Sequence, residues 1–368
     1  MTLHAYFARK FLKIFAGLLL VFAVMITLLD MVEQLRRFDA AEIALSGAFE
    51  LAMLAMPQAL HRILPLVVIL ATLALFLGLA RTSELVVTRA AGRSALRALI
   101  APALVAVAIG ATAVAVLNPL VAATLQSYDI RAAELSDGET RTLSISEEGL
   151  WLRQGSDEGQ TVIRAAHADG EGTRFGEVTF TDYATGEAGR DGPVRRIEAA
   201  EAVLTPGAWE LADVKVWNLQ QANPEATAER HATLTVPTTL TRAEIIDGVG
   251  VPAAVPIWEL PARIASLDEA GFSARQHRIW LQMELATPLF LVGMVLIGAG
   301  FTMRHTRFGR TGVMVLLALL MGFGAYFVRN LAQILGEDGQ IPVMLAAWAP
   351  PAAAVLMSLG LLLHLEDG

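Results

Sequence analysis

Cysteine is absent from all 368 residues. No disulfide, thiolate metal site or cysteine nucleophile can exist, and any exported domain folds without covalent crosslinks. Lysine is nearly absent too: Lys10, Lys13 and Lys215 are the only three, and none is followed by serine or threonine. That excludes a P-loop, so ATP-driven work has to come from another chain. The seven histidines, at positions 4, 61, 167, 231, 277, 305 and 364, lack the H-E-x-x-H spacing of a zinc protease. The nearest glycine cluster, GEGTRFG at 170–176, lacks dinucleotide-binding spacing and reads as a surface turn. Charge is scarce as well, 17% of residues against 55% hydrophobic, with a mean hydropathy of +0.52. A water-soluble fold of this length could not hide that much apolar side chain, so much of it faces something other than water.

What is present instead is a set of six long apolar runs, at roughly residues 11–29, 63–80, 98–123, 279–301, 312–335 and 341–363. A bilayer core about 30 Å thick needs roughly 20 helical residues, so each run is long enough to span it. The first run follows Arg9, Lys10 and Lys13 as a signal peptide would, yet it continues into DMVEQLRRF (30–38) without a small-residue cleavage pattern, and reads as an uncleaved anchor. Basic residues gather beside span one (Arg9, Lys10, Lys13), in the second connection (Arg81, Arg89, Arg93, Arg97) and in the fourth (Arg304, Arg307, Arg310). With six crossings these places share one side, which the positive-inside rule makes cytoplasmic, together with both termini. The fifth connection, GEDGQ (336–340), is acidic and falls on the other side.

Between the third and fourth spans the composition changes. Residues 126–277 hold 25 acidic and 13 basic side chains, a balance of −12, which leaves +4 elsewhere within the total of −8. LSISEEGLWLRQ (143–154), GEVTFTDY (176–183), WELADVKVWNL (209–219) and HATLTVPTTL (231–240) alternate with period two and are separated by Gly-, Asp- and Pro-containing turns. The pattern predicts an antiparallel sandwich or jelly roll. The chain divides into residues 1–125 with three spans, 126–277 as the inserted β-domain, and 278–368 with three more. The acidity of the insertion marks a solvated surface and no cation site.

One stretch fits neither the membrane nor the β-domain. RTSELVVTRAAGRSALR (81–97) carries four arginines and a glutamate between two strongly apolar runs. Ser83 can cap a short helix over about 82–92, Gly92 can end it in a left-handed conformation, and Ser94 can begin the next helix. Arg81, Glu84 and Thr88 then lie along one face, where they present charge either to a soluble partner or to lipid phosphates.

SELVVTRAAGRS (83–94) after ILPLVVILATLALFLGLART resembles the cytoplasmic coupling segment of the lipopolysaccharide-export permeases, the paired LptF and LptG subunits. DMVEQLRRF, GLWLRQG (149–155) and the three-plus-three layout extend the resemblance over essentially the whole chain, and SELVV with a following A-G is closer to the LptG type than to its LptF-type paralogue. The resemblance implies a non-enzymatic permease subunit in the inner membrane of a Gram-negative bacterium, with the β-jelly-roll periplasmic. It further implies an LptF-like paralogous permease, an LptB-like ATPase dimer that binds ATP and Mg, an LptC-like single-span β-domain protein, and lipopolysaccharide as cargo. This chain itself would hold no cofactor and bind no nucleic acid. Within the coupling segment it singles out Ser83, Glu84, Leu85, Thr88, Arg89 and Gly92. The family pattern makes the partner subunit the main lipid conduit and this β-domain a support or gate.

An acidic amphiphile with phosphates needs apolar walls for its tails and cations for its head group. Arg36 and Arg37 supply cations at the outer end of span one, and Arg62, Arg131 and Arg329 are expected at similar depth. Arginines at span ends also snorkel to ordinary phospholipid, and Arg62 and Arg131 fit that reading equally well. Glu284 and Arg329 interrupt apolar helices, where unpaired charge is expensive; they are expected to pair with each other or with a partner subunit. Two other function classes remain at this stage: a mechanotransmission permease, usually built on four spans, and a membrane scaffold or sensor that contacts no ATPase.

Overall fold

A computed structural model of the chain describes residues 3–37, 45–84, 95–135, 143–146, 149–156, 159–169, 173–184, 192–242, 245, 250–269, 273–303 and 311–366. It divides into a helical unit, Met1–Asp137 with Ala253–Trp258 and Arg275–Gly368, and a sheet unit, Gly138–Pro252 with Glu259–Ala274. The compositional boundaries at 125 and 277 therefore fall inside helices: the third span continues to Leu135, and the fourth begins at Arg275.

In the helical unit, α1 (Leu3–Arg37) and α2 (Leu45–Arg81) are each about 50 Å long at 1.5 Å per residue, well over the thickness of a bilayer core. The third span is α3 (Ala95–Thr112), a π-turn (Ala113–Leu117) and α4 (Asn118–Leu135). Proline at 119 explains the π-turn: Pro119 has no N–H for the carbonyl four residues back, and its ring crowds that carbonyl, so the helix widens by a residue just before it. The second half of the unit is α6 (Arg275–Thr302), α7 (Thr311–Glu337) and α8 (Val343–Glu366). All six spans expected from the apolar runs are present, and each is long and apolar enough to cross a membrane.

α6 runs through the core of the unit, packed by α2, α3 and α8. Small residues bring the axes close; a Cβ added at Gly110 would lie 2.5 Å from the Pro288 backbone, and one at Gly298 2.9 Å from Thr72. α1 is different. Phe7, Phe11 and Phe15, spaced one turn apart, are buried, whereas Leu20, Val21, Val24, Leu28 and Leu29 further along are exposed. α7 likewise exposes Leu316, Leu320, Phe323, Phe327 and Val328.

The sheet unit is a seven-stranded antiparallel meander in sequence order. Its strands are β1 (Leu143–Ser146), β2 (Gly149–Ser156), β3 (Gly159–Ala168), β4 (Arg174–Ala184), β5 (Pro193–Thr205), β6 (Ala208–Asn218) and β7 (Glu229–Pro237), followed by the short helix α5 (Leu260–Glu269). The expected inserted antiparallel β-domain is there, and each described strand pairs with its neighbours in sequence. Short turns between successive strands are what allow a meander.

A crease crosses this sheet. Inward-facing residues run Ile163, Ala165, then Ala168 on β3; Phe175, then Val178 and Phe180 on β4; Ile197, Ala199, then Ala202 on β5; Trp209, Leu211, then Val214 on β6. Each strand slips by one residue at the same level, so the pairing register continues across the crease while the alternation changes phase. Glu177 (φ 52°) and Asp213 (φ 50°) take the left-handed conformation on that line, where one residue of each strand drops out of the ladder. Trp209 fills the inside of the bend, with Phe175 and Phe180 edge-on to it at 5.3 and 6.0 Å.

Candidate functional site

The functional residues expected from the sequence fall in three places, all in the helical unit. The first is the end of the bundle where α4 leads toward the sheet. Met31, Leu35, Ala48, Leu51, Tyr128, Ala132 and Leu135 form a small apolar cluster joining α1, α2 and α4. Around it, buried Gln34 donates to the Tyr128 hydroxyl at 3.1 Å, Arg37 donates to the same oxygen at 3.3 Å, and Arg131 is paired with Glu50 at 3.2 Å. Arg36 is exposed beside them with no side-chain partner among the described residues. Arg36, Arg37 and Arg131 are thus brought together. Arg62 is not: it lies twelve residues along α2 from Glu50, about 18 Å at helical rise, and faces outward.

The second place is within the bundle. Glu284, 2% exposed, contacts His61 Nε2 at 2.8 Å, so its hydrogen-bond partner within the chain is a histidine on α2, while Arg329 acts on it through charge alone. Trp280 flanks the pair, its ring 6.5 Å from that of His61. Glu284 Oε2, His61 Nδ1 and Trp280 Nε1 are buried without hydrogen-bond partners among the described residues. Arg329 on α7 turns toward α6, with its guanidinium 5.3 Å from the Phe290 ring centre and 3.5 Å from the Thr287 hydroxyl. Arg329 therefore stands apart from the other four arginines. Sequence reasoning missed His61 because an isolated histidine at the head of a span carries no spacing signal; only the crossing of α2 and α6 gives it a partner.

The third place is the opposite end of the bundle, at the start of the coupling segment. Leu85, Thr88, Arg89 and Gly92 lie outside the described residues; Ser83 and Glu84 lie inside them. Ser83 has φ 59° and its N–H reaches Ala80 O at 3.2 Å, so its backbone closes α2 in a left-handed turn instead of taking the extended form usual for an N-cap. Glu84 Oε1 accepts from Lys10 Nζ at 3.0 Å and from the Thr82 hydroxyl at 2.8 Å, and Lys10 also donates to the Tyr6 hydroxyl at 3.1 Å. Partial burial pushes the Glu84 carboxyl up, but the hydrogen bonds from Lys10, Thr82 and Tyr6 and the Lys10 charge outweigh it and hold the group below its usual range.

Outside these places the sheet carries a groove of about 680 Å³ on the face opposite its core, lined among others by Arg164, Glu177, Arg196, Glu198, Asp213, Lys215 and Arg230. Its charges are largely matched: Arg196 pairs with Glu198, and Lys215 pairs with Glu225 at 2.6 Å. No cluster of three His, Asp or Glu side chains able to hold a metal occurs among the described residues.

Six apolar spans split three and three around an antiparallel sheet, with polar clusters at both ends of the bundle, define a multi-pass membrane protein with an inserted folded domain. The lipopolysaccharide export system permease LptF/LptG family matches it over residues 5–364, and the chain belongs to that family. It is 26% identical, over 92% of its length and 91% of theirs, to the lipopolysaccharide export system permease protein LptG of Escherichia coli strain K12 and of strain O6:H1 CFT073.

Proposed function

We propose that the chain is an LptG-type permease subunit of an ATP-driven exporter that takes lipopolysaccharide from the periplasmic leaflet of the inner membrane and passes it to a periplasmic bridge. The observation that carries this reading is the extent of the family match, which covers residues 5–364 and so runs through both helical halves and the sheet. In this reading hydrolysis of ATP with Mg takes place on an LptB-like ATPase dimer, an LptF-like permease completes the cavity, and an LptC-like protein joins on the periplasmic side. Both termini are cytoplasmic and the sheet unit periplasmic, as the arginine-rich connections favour. Arg36, Arg37 and Arg131 serve the phosphorylated head group, since charge-assisted bonds to phosphate are the strong ones. The core of the sheet, closed by Trp209, Phe175 and Phe180, supports a bracing or gating role for this β-domain.

Photocrosslinking in cells from Leu35, Arg36 and Arg37 tests the assignment. Lipopolysaccharide captured at these positions is the expected result. A complex that contains the ATPase but captures only ordinary phospholipid there would remove the head-group site, and a chain that co-purifies with no ATPase would favour the scaffold alternative.

A further inference from the structure

From the sequence Glu84 presents its charge to a soluble partner or to the lipid surface, yet the chain itself supplies a cation for it. Lys10 lies two turns into α1, 74 residues before Glu84, and binds the same carboxylate oxygen that Thr82 holds from the end of α2. The lysine is itself placed: its ammonium binds the Tyr6 hydroxyl and sits 5.2 Å from the Tyr6 ring centre, and its neighbours Phe7 and Phe11 are fully packed into the helical core. Glu84 is placed from the other side by Ser83, whose left-handed backbone sets the direction in which the chain leaves α2.

We infer that Lys10 is a positioning residue for coupling: it ties Glu84, at the start of the coupling segment, to α1, so that a load applied there reaches α1 directly as well as through α2. This rests on the proposed function. Both side chains are about a third exposed, so the pair contributes little to stability and its removal leaves a folded protein. Its effect is geometric. A network of four side chains from two helices keeps one carboxylate in one place, where a lone exposed pair would exchange with water. The contact also sits at the packed end of α1, where Phe7, Phe11 and Phe15 anchor the helix in the core, whereas Leu20, Val21, Val24, Leu28 and Leu29 further along are exposed.

The experiment uses the complete complex in proteoliposomes and measures ATP turnover and lipopolysaccharide released per ATP. Lys10→Ala should leave ATPase co-purification intact and lower release per ATP by up to about fivefold, the scale of a half-exposed ion pair expressed as a rate. Lys10→Arg should restore it. Combining Lys10→Glu with Glu84→Lys rebuilds the pair in reverse and should recover coupling over either change alone. If Glu84 served only a cation on the ATPase, that double variant would behave like Glu84→Lys. Because the chain has no cysteine, Lys10→Cys with Glu84→Cys gives one thiol pair on it, which a short bis-maleimide is expected to link in the assembled complex; a direct disulfide would not reach, since the native side chains meet at their tips. Unchanged release per ATP in Lys10→Ala, or no bis-maleimide link in the assembled complex, overturns the inference while leaving the proposed function standing. A wild-type chain that captures no ATPase overturns both.

Discussion

Glu284 and His61 show how far one contact can decide the behaviour of a residue. A carboxylate in an apolar helix is costly unless paired, and its partner is a single imidazole on another helix. The two halves of the pair are not equivalent. His61→Ala strands a buried carboxylate and is expected to cost about 3–5 kcal/mol, whereas Glu284→Ala leaves an imidazole that can stay neutral and should cost about 1–3 kcal/mol. Replacing both with leucine should cost less than His61→Ala, because it removes the stranded carboxylate. Thermal unfolding of the detergent-solubilised variants gives the order, and a Glu284→Ala protein less stable than His61→Ala would contradict it. In the same bundle Arg329 uses the face of Phe290 and the Thr287 hydroxyl, a placement with no counterpart in the run of residues around it.

At the scale of elements, glycine has opposite meanings in two helices of similar composition. Gly110 on α3 has the backbone of Pro288 on α6 where its Cβ would be, so the two helices approach closely because there is no side chain between them. Gly17 on α1 has nothing within 4 Å. Gly110→Ala must push α3 away from α6 and is expected to destabilise the protein by about 1–3 kcal/mol. Gly17→Ala only removes backbone freedom and should be neutral or stabilising by up to about 1 kcal/mol. Equal losses of melting temperature for the two would show that the crossing yields more than its geometry implies. The sheet makes a related point about pattern. β3 and β5 escape a period-two scan because their inward residues change phase at the crease, and their alanine-rich centres, RAAHA and EAAEA, leave little alternation to detect. β4 and β6 are readable because one side of the crease retains a long clean alternation.

For the whole molecule the expectation is an orientation. In the cysteine-free chain, single cysteines at Arg89 and at Arg307 should be hidden from an impermeant thiol reagent in intact spheroplasts, and one at Asp169 on the sheet unit should label. Labelling of the first two would reverse the topology and put the proposed ATPase contact on the wrong side. The long exposed apolar faces of α1 and α7 agree with spans that meet something other than their own chain, lipid or another subunit, along most of their length.

The sequence by itself determined the six spans, the inserted antiparallel domain and the positions of the charges at both ends of the bundle. These follow from local rules: a span has to be long and apolar, a half-buried strand alternates, and charge collects at the ends of apolar spans. Only the tertiary structure decided which charges meet. Lys10 finds Glu84 across 74 residues, His61 finds Glu284 across 223, and Arg131 finds Glu50 across 81. Pairings of that kind depend on which helix faces touch, and a helix of 35 residues offers the same local pattern whichever neighbour it packs against. The order of the strands in the sheet was decided at the same level, because it depends on where each turn sends the chain and not on the alternation within the strands.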